Sequence, residues 1–359
     1  MRVTVHTSIP RRLFVGAQPC FCDISARRIV NKDKRAIIIA SSSFDDHTHG
    51  PVCERLRRRG FPVVVHLTDQ IMAGKQRFQL EITASGDLNI AYDDLAVLPS
   101  EVGAAWYWKV AGFRVADAET NVAKQLSMVN EITQWNNSIW GLFPDDLWLS
   151  SPGSIARADR KLIQLLAARE VGFEIPRSVV TNDWSVLEEG LLRGGRTMVV
   201  KMLRGVLADQ NQLKGLYTTP LDQAAVDRIR NETVPFPGLY QPFVEKVREW
   251  RVTVVGDEVF SVAIYTDAEA KDDWRRMQLT AAVRFARENL PADVEDKCRT
   301  YLRRFSLRYG AFDLIESNDG RIVFLECNPN GQHNWLERSV GIPVADALAD
   351  ELARIAERH

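Results

Sequence analysis

The sequence predicts an α/β protein in which an N-terminal open α/β domain is followed by a hairpin-rich α+β region. Three observations point there. Two apolar runs, "RAIIIASSS" and "FPVVVHL", flank the helical stretch "PVCERLRRRG", as in a strand–helix–strand unit. The pairs Gly86-Asp87, Gly256-Asp257 and Asp319-Gly320 each lie between apolar segments and mark hairpins. The segments beginning at Ser154 and at Val344 have the apolar spacing of helices.

Taken in order, residues 1–35 are polar and basic, with Pro10, Pro19 and little periodicity, and are expected to form an extension outside the core. The loop "SSSFDDHTHG" between the first strand and its helix holds His47 and His49 beside Asp45 and Asp46. A solvated loop is the simpler reading, with a metal or phosphate site as the alternative. "RFQLEITASGDLNIAYDD" predicts a hairpin, and a helix is expected over Ala118 to Trp140. From Ser154 one helix should run to Gly172, followed by an extended Ile-Pro segment. "GRTMVVKML" is a short buried strand closing on Lys201, and 204–219 is expected to be irregular. "GLYQPFVEKVREWRVTVVGDEVFSVAIY" supplies a second hairpin, and 267–309 reads as a long, charged helical zone. The predicted division is 1–35, 36–150, 151–245 and 246–359.

Composition narrows the function classes. The chain has 359 residues, 45% hydrophobic and 26% charged, which suits a globular protein with two or three cores. A net charge of −1 provides no overall field for nucleic acid or an acidic membrane. No apolar run has the length of a membrane span, and the first residues lack the apolar core of a signal peptide. Five scattered cysteines (Cys20, Cys22, Cys53, Cys298, Cys327) fit a reducing, cytoplasmic setting. Cys20-Phe-Cys22 has no second pair to complete a zinc site. Neither internal repeats nor a Gly-rich phosphate loop is present.

The chemistry concentrates in "YGAFDLIESNDGRIVFLECNPNGQHNW". If Asp319-Gly320 are the two residues of a type I′ loop, Asp313 faces Glu326, and strand alternation puts Asn328 on the face of Glu326. Directly opposed side chains lie roughly 4.5–5.5 Å apart at Cβ, so the two carboxylates repel unless something positive attends them. Two carboxylates and an amide oxygen suit Mg²⁺, which is commonly held by a couple of carboxylates together with substrate phosphates. A solvated hairpin is the bland alternative, opposed by Phe324, Leu325 and Cys327. On "REWRVTVV", Glu249, Arg251 and Thr253 share one face while Trp250, Val252 and Val254 take the other. Lys201 in isolation reads as a lysine reaching out of the sheet. With Lys161 and the acidic patch in the same chain, a nucleotide site becomes the better reading.

The ordered segments "ARADRKLIQLLAAREVGFEIPRSVVTND", "VVKML", "YQPFVEKVREWRVTVVGDEVFSVAI", "DDWRR" and "YGAFDLIESNDGRIVFLECNPNGQHNWLE" resemble the ATP-grasp superfamily. Within it they resemble the microviridin-type peptide ligases, also called graspetide synthetases. The resemblance implies an ATP-grasp fold with an N-terminal α/β domain, a central lid and a C-terminal catalytic domain, using ATP and Mg²⁺. Carried over by position, Lys161 and Lys201 resemble the phosphate-binding lysines. Gln241, Pro242, Phe243 and Val244 resemble the hinge whose backbone reads adenine, and Glu249 the ribose-binding acid. Asp313, Glu326 and Asn328 match the Mg²⁺ ligands, and Arg251 and Arg275 the arginines that hold the acceptor carboxylate and the acyl-phosphate. Pro242 departs from the pattern, because an acid often stands there in this branch; proline keeps the carbonyl but loses an N–H.

The implied activity is ATP-dependent activation of Asp or Glu side chains in a ribosomal precursor peptide, followed by ester or amide crosslinking. The implied setting is a cytoplasmic homodimer whose partner is a precursor peptide with a leader segment, with no nucleic acid and no membrane. Two other readings stay open: a ligase joining small amino acids or extending a protein tail, and a non-catalytic nucleotide-binding scaffold. A precursor gene nearby would separate the first two, and ADP release would exclude the third.

Overall fold

The computed structural model describes residues 27–28, 33–93, 95–110, 121–183, 185, 197–201, 203, 206–209, 212–215, 219–221, 237–267 and 283–359. The chain enters through β1 (Arg27–Arg28), which pairs in parallel with β6 (Leu95–Val97). This part of the expected extension therefore joins a sheet.

β2 (Ala36–Ser41) is buried along its whole length, because it lies between β3 (Val63–Leu67) and β7 (Val102–Tyr107), parallel to both. Parallel sheets are covered on both faces, which is why this run is apolar without alternation. Ile37 and Ile39 pack on one side with Leu56 and Trp106, and Ile38 and Ala40 on the other with Trp140 and Trp148. The crossover is α1 (Asp46–Arg58), with acid in its first turn and arginines in its last, both favourable to the helix dipole. It begins earlier than the sequence suggests and absorbs the histidine-bearing loop. His49 is buried, its Nε2 lies 3.2 Å from the Ser42 carbonyl oxygen, and burial lowers its pKa. After α2 (Thr68–Met72), β4 (Phe78–Ile82) and β5 (Leu88–Tyr92) form the expected hairpin, with Gly86 at φ +88°. α3 (Val122–Trp140) follows.

The predicted single helix from Ser154 is two, α4 (Pro152–Ala158) and α5 (Lys161–Glu170), interrupted at Asp159 and Arg160; Gly172, at φ +92°, lies just past the end of α5. Next, β8 (Val179–Thr181), β9 (Met198–Lys201), β12 (Thr219–Leu221) and β13 (Gly238–Pro242) build an antiparallel sheet in the order β12-β9-β13-β8. Between them β10 (Val206–Asp209) and β11 (Gln212–Gly215) pair as a hairpin, which corrects the irregular stretch expected there.

The last sheet runs β16-β15-β14-β17-β18, all antiparallel. It comprises β14 (Lys246–Val255), β15 (Glu258–Thr266), β16 (Val283–Arg287), β17 (Tyr309–Ser317) and β18 (Ile322–Asn328). β16 corrects the helical expectation over its own residues, and α6 (Ala292–Arg304) meets it; 268–282 lie outside the described residues. α6 covers the apolar face, where Tyr301 and Leu302 meet Trp250, Val252, Phe312 and Phe324. At the β14–β15 turn Gly256 has φ +58° while Asp257 keeps negative φ, which matches a type II′ turn with glycine first.

α7 (Asn334–Val340) and α8 (Val344–Ala356) close the chain. Leu348, Leu352 and Ile355 of α8 share a core with Ile37, Ile39 and Leu56, so the last helix and the parallel-sheet unit build one interior. Gly103 on β7 permits this approach: a Cβ there would stand 3.0 Å from the Ala356 backbone and 2.8 Å from Arg35 Cβ. Among the described residues no helix is long and apolar enough to cross a membrane.

Candidate active site

The polar face of the last sheet carries a row of charges. Glu249, Arg251 and Thr253 are all buried on β14, although strands normally turn such residues to water. Arg251 is opposite Asp313 on β17, and Asp313 is opposite Glu326 on β18. Arg251 Nη1 donates to Asp313 Oδ1 at 2.8 Å, and Lys161 Nζ donates to Glu326 Oε2 at 2.5 Å. Asn328 Nδ2 reaches Glu326 Oε1 at 3.3 Å. The repulsion between the neighbouring carboxylates is thus offset by one cation at each end of the row.

The hairpin behind this row has a different register from the expected one. Ser317 N–H donates to the Arg321 carbonyl oxygen and Glu316 faces Ile322, so the loop holds three residues, ending in Gly320 at φ +79°. A β-bulge between Asp313 and Leu314 then leaves Leu325 without a register partner and shifts the pairing back by one. The two departures cancel, and Asp313 stands opposite Glu326 as expected.

Lys161 opens α5, where the helix dipole disfavours a cation. What holds it there is Gln164, one turn on. Its Nε2 donates to the Ala158 and Cys327 carbonyl oxygens at 2.7 and 2.8 Å, and its Oε1 accepts from Cys327 N–H at 3.1 Å. Gln164 thereby fixes the start of α5 against the strand that bears Glu326 and Asn328.

Lys201 ends β9 opposite Leu239 of β13. Gln241 lies opposite Val199 and its Nε2 donates to Ser178 Oγ at 2.9 Å. Pro242 closes β13, Phe243 N–H donates to the Thr197 carbonyl oxygen at 2.7 Å, and Val244 is half-buried in the link to β14. Glu249 accepts from Lys246 Nζ at 2.5 Å, with both side chains largely out of solvent. Arg275 and the rest of "DDWRR" lie outside the described residues.

The donor chemistry suits a hard cation: Asp313, Glu326 and Asn328 present only oxygens and one amide on a single face. Among the described residues no cluster of three or more His, Cys, Asp and Glu offers another site. The set resembles what Mg²⁺ takes when substrate phosphates supply further ligands.

Sequence reading missed the segment after β18. Gly331 packs so closely that a Cβ would lie 2.5 Å from Ala311 Cβ and 2.8 Å from Arg251 Nη2. Arg251 Nη2 donates to the Gln332 carbonyl oxygen at 3.1 Å. The Gln332 side chain crosses to the α/β unit, where its Nε2 donates to Asp45 Oδ1 at 2.7 Å and its Oε1 accepts from Thr48 at 3.1 Å. His333 is fully buried; burial, then Arg251 and Lys109, lower its pKa to about 3. Tyr309 OH donates to the Gly331 carbonyl oxygen at 2.5 Å. The quoted "NPNGQ" held the signal, since a glycine between polar residues marks close backbone approach. Lys109 and Asp45 have no such pattern.

No family model matches the chain, and no curated protein sequence matches it. Solved structures do. The macrocyclase MdnC from Microcystis aeruginosa MRC, bound with the precursor peptide MdnA, is 22% identical, with a TM-score of 0.77 over 89% of this chain and 99% of that one. The RiPP-associated ATP-grasp ligase of Chryseobacterium gregarium, in complex with ADP and a leader and core peptide, is also 22% identical. Its TM-score is 0.78, over 89% of this chain and 97% of that one. The ATP-grasp ligase PsnB, complexed with a minimal precursor, Mg and ADP, gives 20% identity and 0.69 over 95% and 100%.

Proposed function

The chain has the ATP-grasp fold, and from that premise we propose that it is an ATP-dependent ligase acting on a ribosomally made precursor peptide. It activates Asp or Glu side chains as acyl-phosphates and closes intramolecular ester or amide crosslinks. The observation that carries this reading is the row Arg251–Asp313–Glu326–Lys161, set on a fold shared along 89% of the chain with a macrocyclase and a peptide-bound ligase. In this reading Asp313, Glu326 and Asn328 hold Mg²⁺, which when bound neutralises charge on phosphoryl oxygens. Lys161 and Lys201 meet the ATP phosphates, Gln241 to Val244 line the adenine, and Glu249 takes the ribose. Arg251 and Arg275 hold the carboxylate being activated and its acyl-phosphate, for which a guanidinium fork suits two oxygens better than an ammonium does.

The chemistry balances simply. A carboxylate oxygen attacks the γ-phosphorus and ADP leaves; a hydroxyl or amine then attacks the acyl carbon and phosphate leaves. Each crosslink removes the elements of one water from the peptide. The same reading takes the working form as a cytoplasmic homodimer with a leader-bearing precursor as partner, and keeps the unit boundaries near residues 35, 150 and 245. A ligase for small amino acids has weaker support: D-cycloserine synthetase DcsG matches at a TM-score of 0.54 and 13% identity.

The test is to incubate the protein, ATP and Mg²⁺ with each short peptide encoded in the neighbouring reading frames and weigh the products. Loss of one water per ring, with ADP release, is expected. Added amino-acid mass would move the protein to the second class, and no ADP release would make it a scaffold.

A further inference from the structure

We propose that Lys109 and Arg251 together bind a carboxylate of the peptide substrate, where the carboxyl edge of the parallel sheet meets the loop after β18. The inference rests on the ligase reading and places that reading's substrate on the α/β side of the site. Location is the first argument. In open α/β sheets ligands bind outside the carboxyl ends of the strands. Here Trp108 N–H donates to the Ala40 carbonyl oxygen at 2.8 Å, so β7 stays paired to the residue before Lys109. At the same edge, Gln332 joins Asp45 and Thr48 to the segment that accepts from Arg251.

Backbone conformation is the second. Lys109 has φ +41°, and the only other non-glycine residues at positive φ among those described are Asp93 and Ser306. For a long side chain this conformation costs on the order of 1 kcal/mol or more, and such strain persists where surrounding structure imposes it, often at ligand sites. The turn sends the ammonium back over the Trp108 ring, 5.9 Å from its centroid, into a half-buried position.

Charge is the third. Burial and the field of Arg251 both disfavour the Lys109 ammonium, and among the described residues Asp45 opposes them. Asp45 already accepts from Gln332, and Asp313 already answers Arg251. Arg251 Nε is buried and has no hydrogen-bond partner among the described residues. A desolvated cation beside a guanidinium with an unused N–H is suited to a two-oxygen anion. Lysine supplies the charge and arginine the directed donor. A carboxylate is favoured over a nucleotide phosphate because Lys161, the lysine paired with Glu326, approaches from the opposite end of the charge row.

Two measurements test this. In the wild-type protein, acetylation of Lys109 by an amine-directed reagent, followed by peptide mass mapping, should slow when a synthetic Asp- and Glu-rich peptide is present. ADP with Mg²⁺ should not slow it. In steady-state assays Lys109→Met should lower kcat/KM for the precursor about tenfold or more while leaving the KM for ATP near its wild-type value, and Lys109→Arg should recover most of the loss. Protection by ADP alone, no protection by the acidic peptide, or an unchanged kcat/KM in Lys109→Met would overturn the assignment. Labelling requires no turnover, so a wild type that ligates nothing removes the ligase reading while the protection pattern still decides this one.

Discussion

Glu326 illustrates how much a single residue can carry and how far its neighbours were readable. Its pairing with Asp313 was expected from a two-residue loop and holds because a three-residue loop and the bulge after Asp313 cancel. Its partner Lys161 is remote in sequence and only the fold reveals that they touch. That changes an expectation. Two bare carboxylates would make Glu326→Gln stabilising without metal, by relieving repulsion. With Lys161 at 2.5 Å and Asp313 on Arg251, the substitution instead leaves an ammonium without its counter-charge. Both side chains of the pair are partly exposed, at 21% and 16%, so the loss should be modest, about 1 kcal/mol. Urea unfolding without Mg²⁺ or nucleotide checks it, and ligase turnover by the same variant should be lost. Lys109 and Gln332 were unreadable for a different reason: their chemistry exists only where two units meet, and no periodicity marks such a place.

Elements were more legible than their boundaries. The hairpins at Gly86 and Gly256 form where the sequence put them, because positive φ is a local demand that glycine meets. Strands within 204–219 and at Val283–Arg287 were missed. Short strands such as β10, β11, β12 and β16 exist by pairing with partners, which a local pattern does not encode. The break between α4 and α5 was also hidden, since helical spacing runs through it; Gln164 spans the break from α5 to Ala158 and to β18. Gln164→Leu removes the partners of the Cys327 amide and carbonyl in a buried setting, which should cost about 3 kcal/mol and weaken nucleotide binding by letting Lys161 shift. Leu166→Ala on the same helix changes a side chain that is 66% exposed and should stay within about 0.5 kcal/mol. Paired denaturation curves separate the two; equal losses would contradict the anchoring role.

At the scale of the whole molecule, the strand–helix–strand start of the α/β unit was readable, but the sharing of its core with the last helix was not. Cross-packing of α8 onto β2 and β7 makes the α/β unit depend on the C-terminus. Acid should expose a second global property. His66 and His333 are each held to about 3 by burial, so below about 6.5 the unfolded chain binds protons that the folded one refuses. Stability is therefore fully present above that range and falls as pH drops through it. Between pH 7.5 and 5.5 the two should remove roughly 2–3 kcal/mol in all. Urea midpoints at the two pH values measure this, and a flat profile would mean that neither histidine stays neutral in the folded state. The central claim, that a side-chain carboxylate is activated by phosphorylation, has its own direct measurement. A precursor peptide with heavy oxygen in its Asp and Glu carboxylates is converted with ATP, and the released phosphate is weighed. One labelled oxygen per crosslink in the phosphate is the result this account requires; phosphate without label, beside a peptide that has lost water, would contradict it.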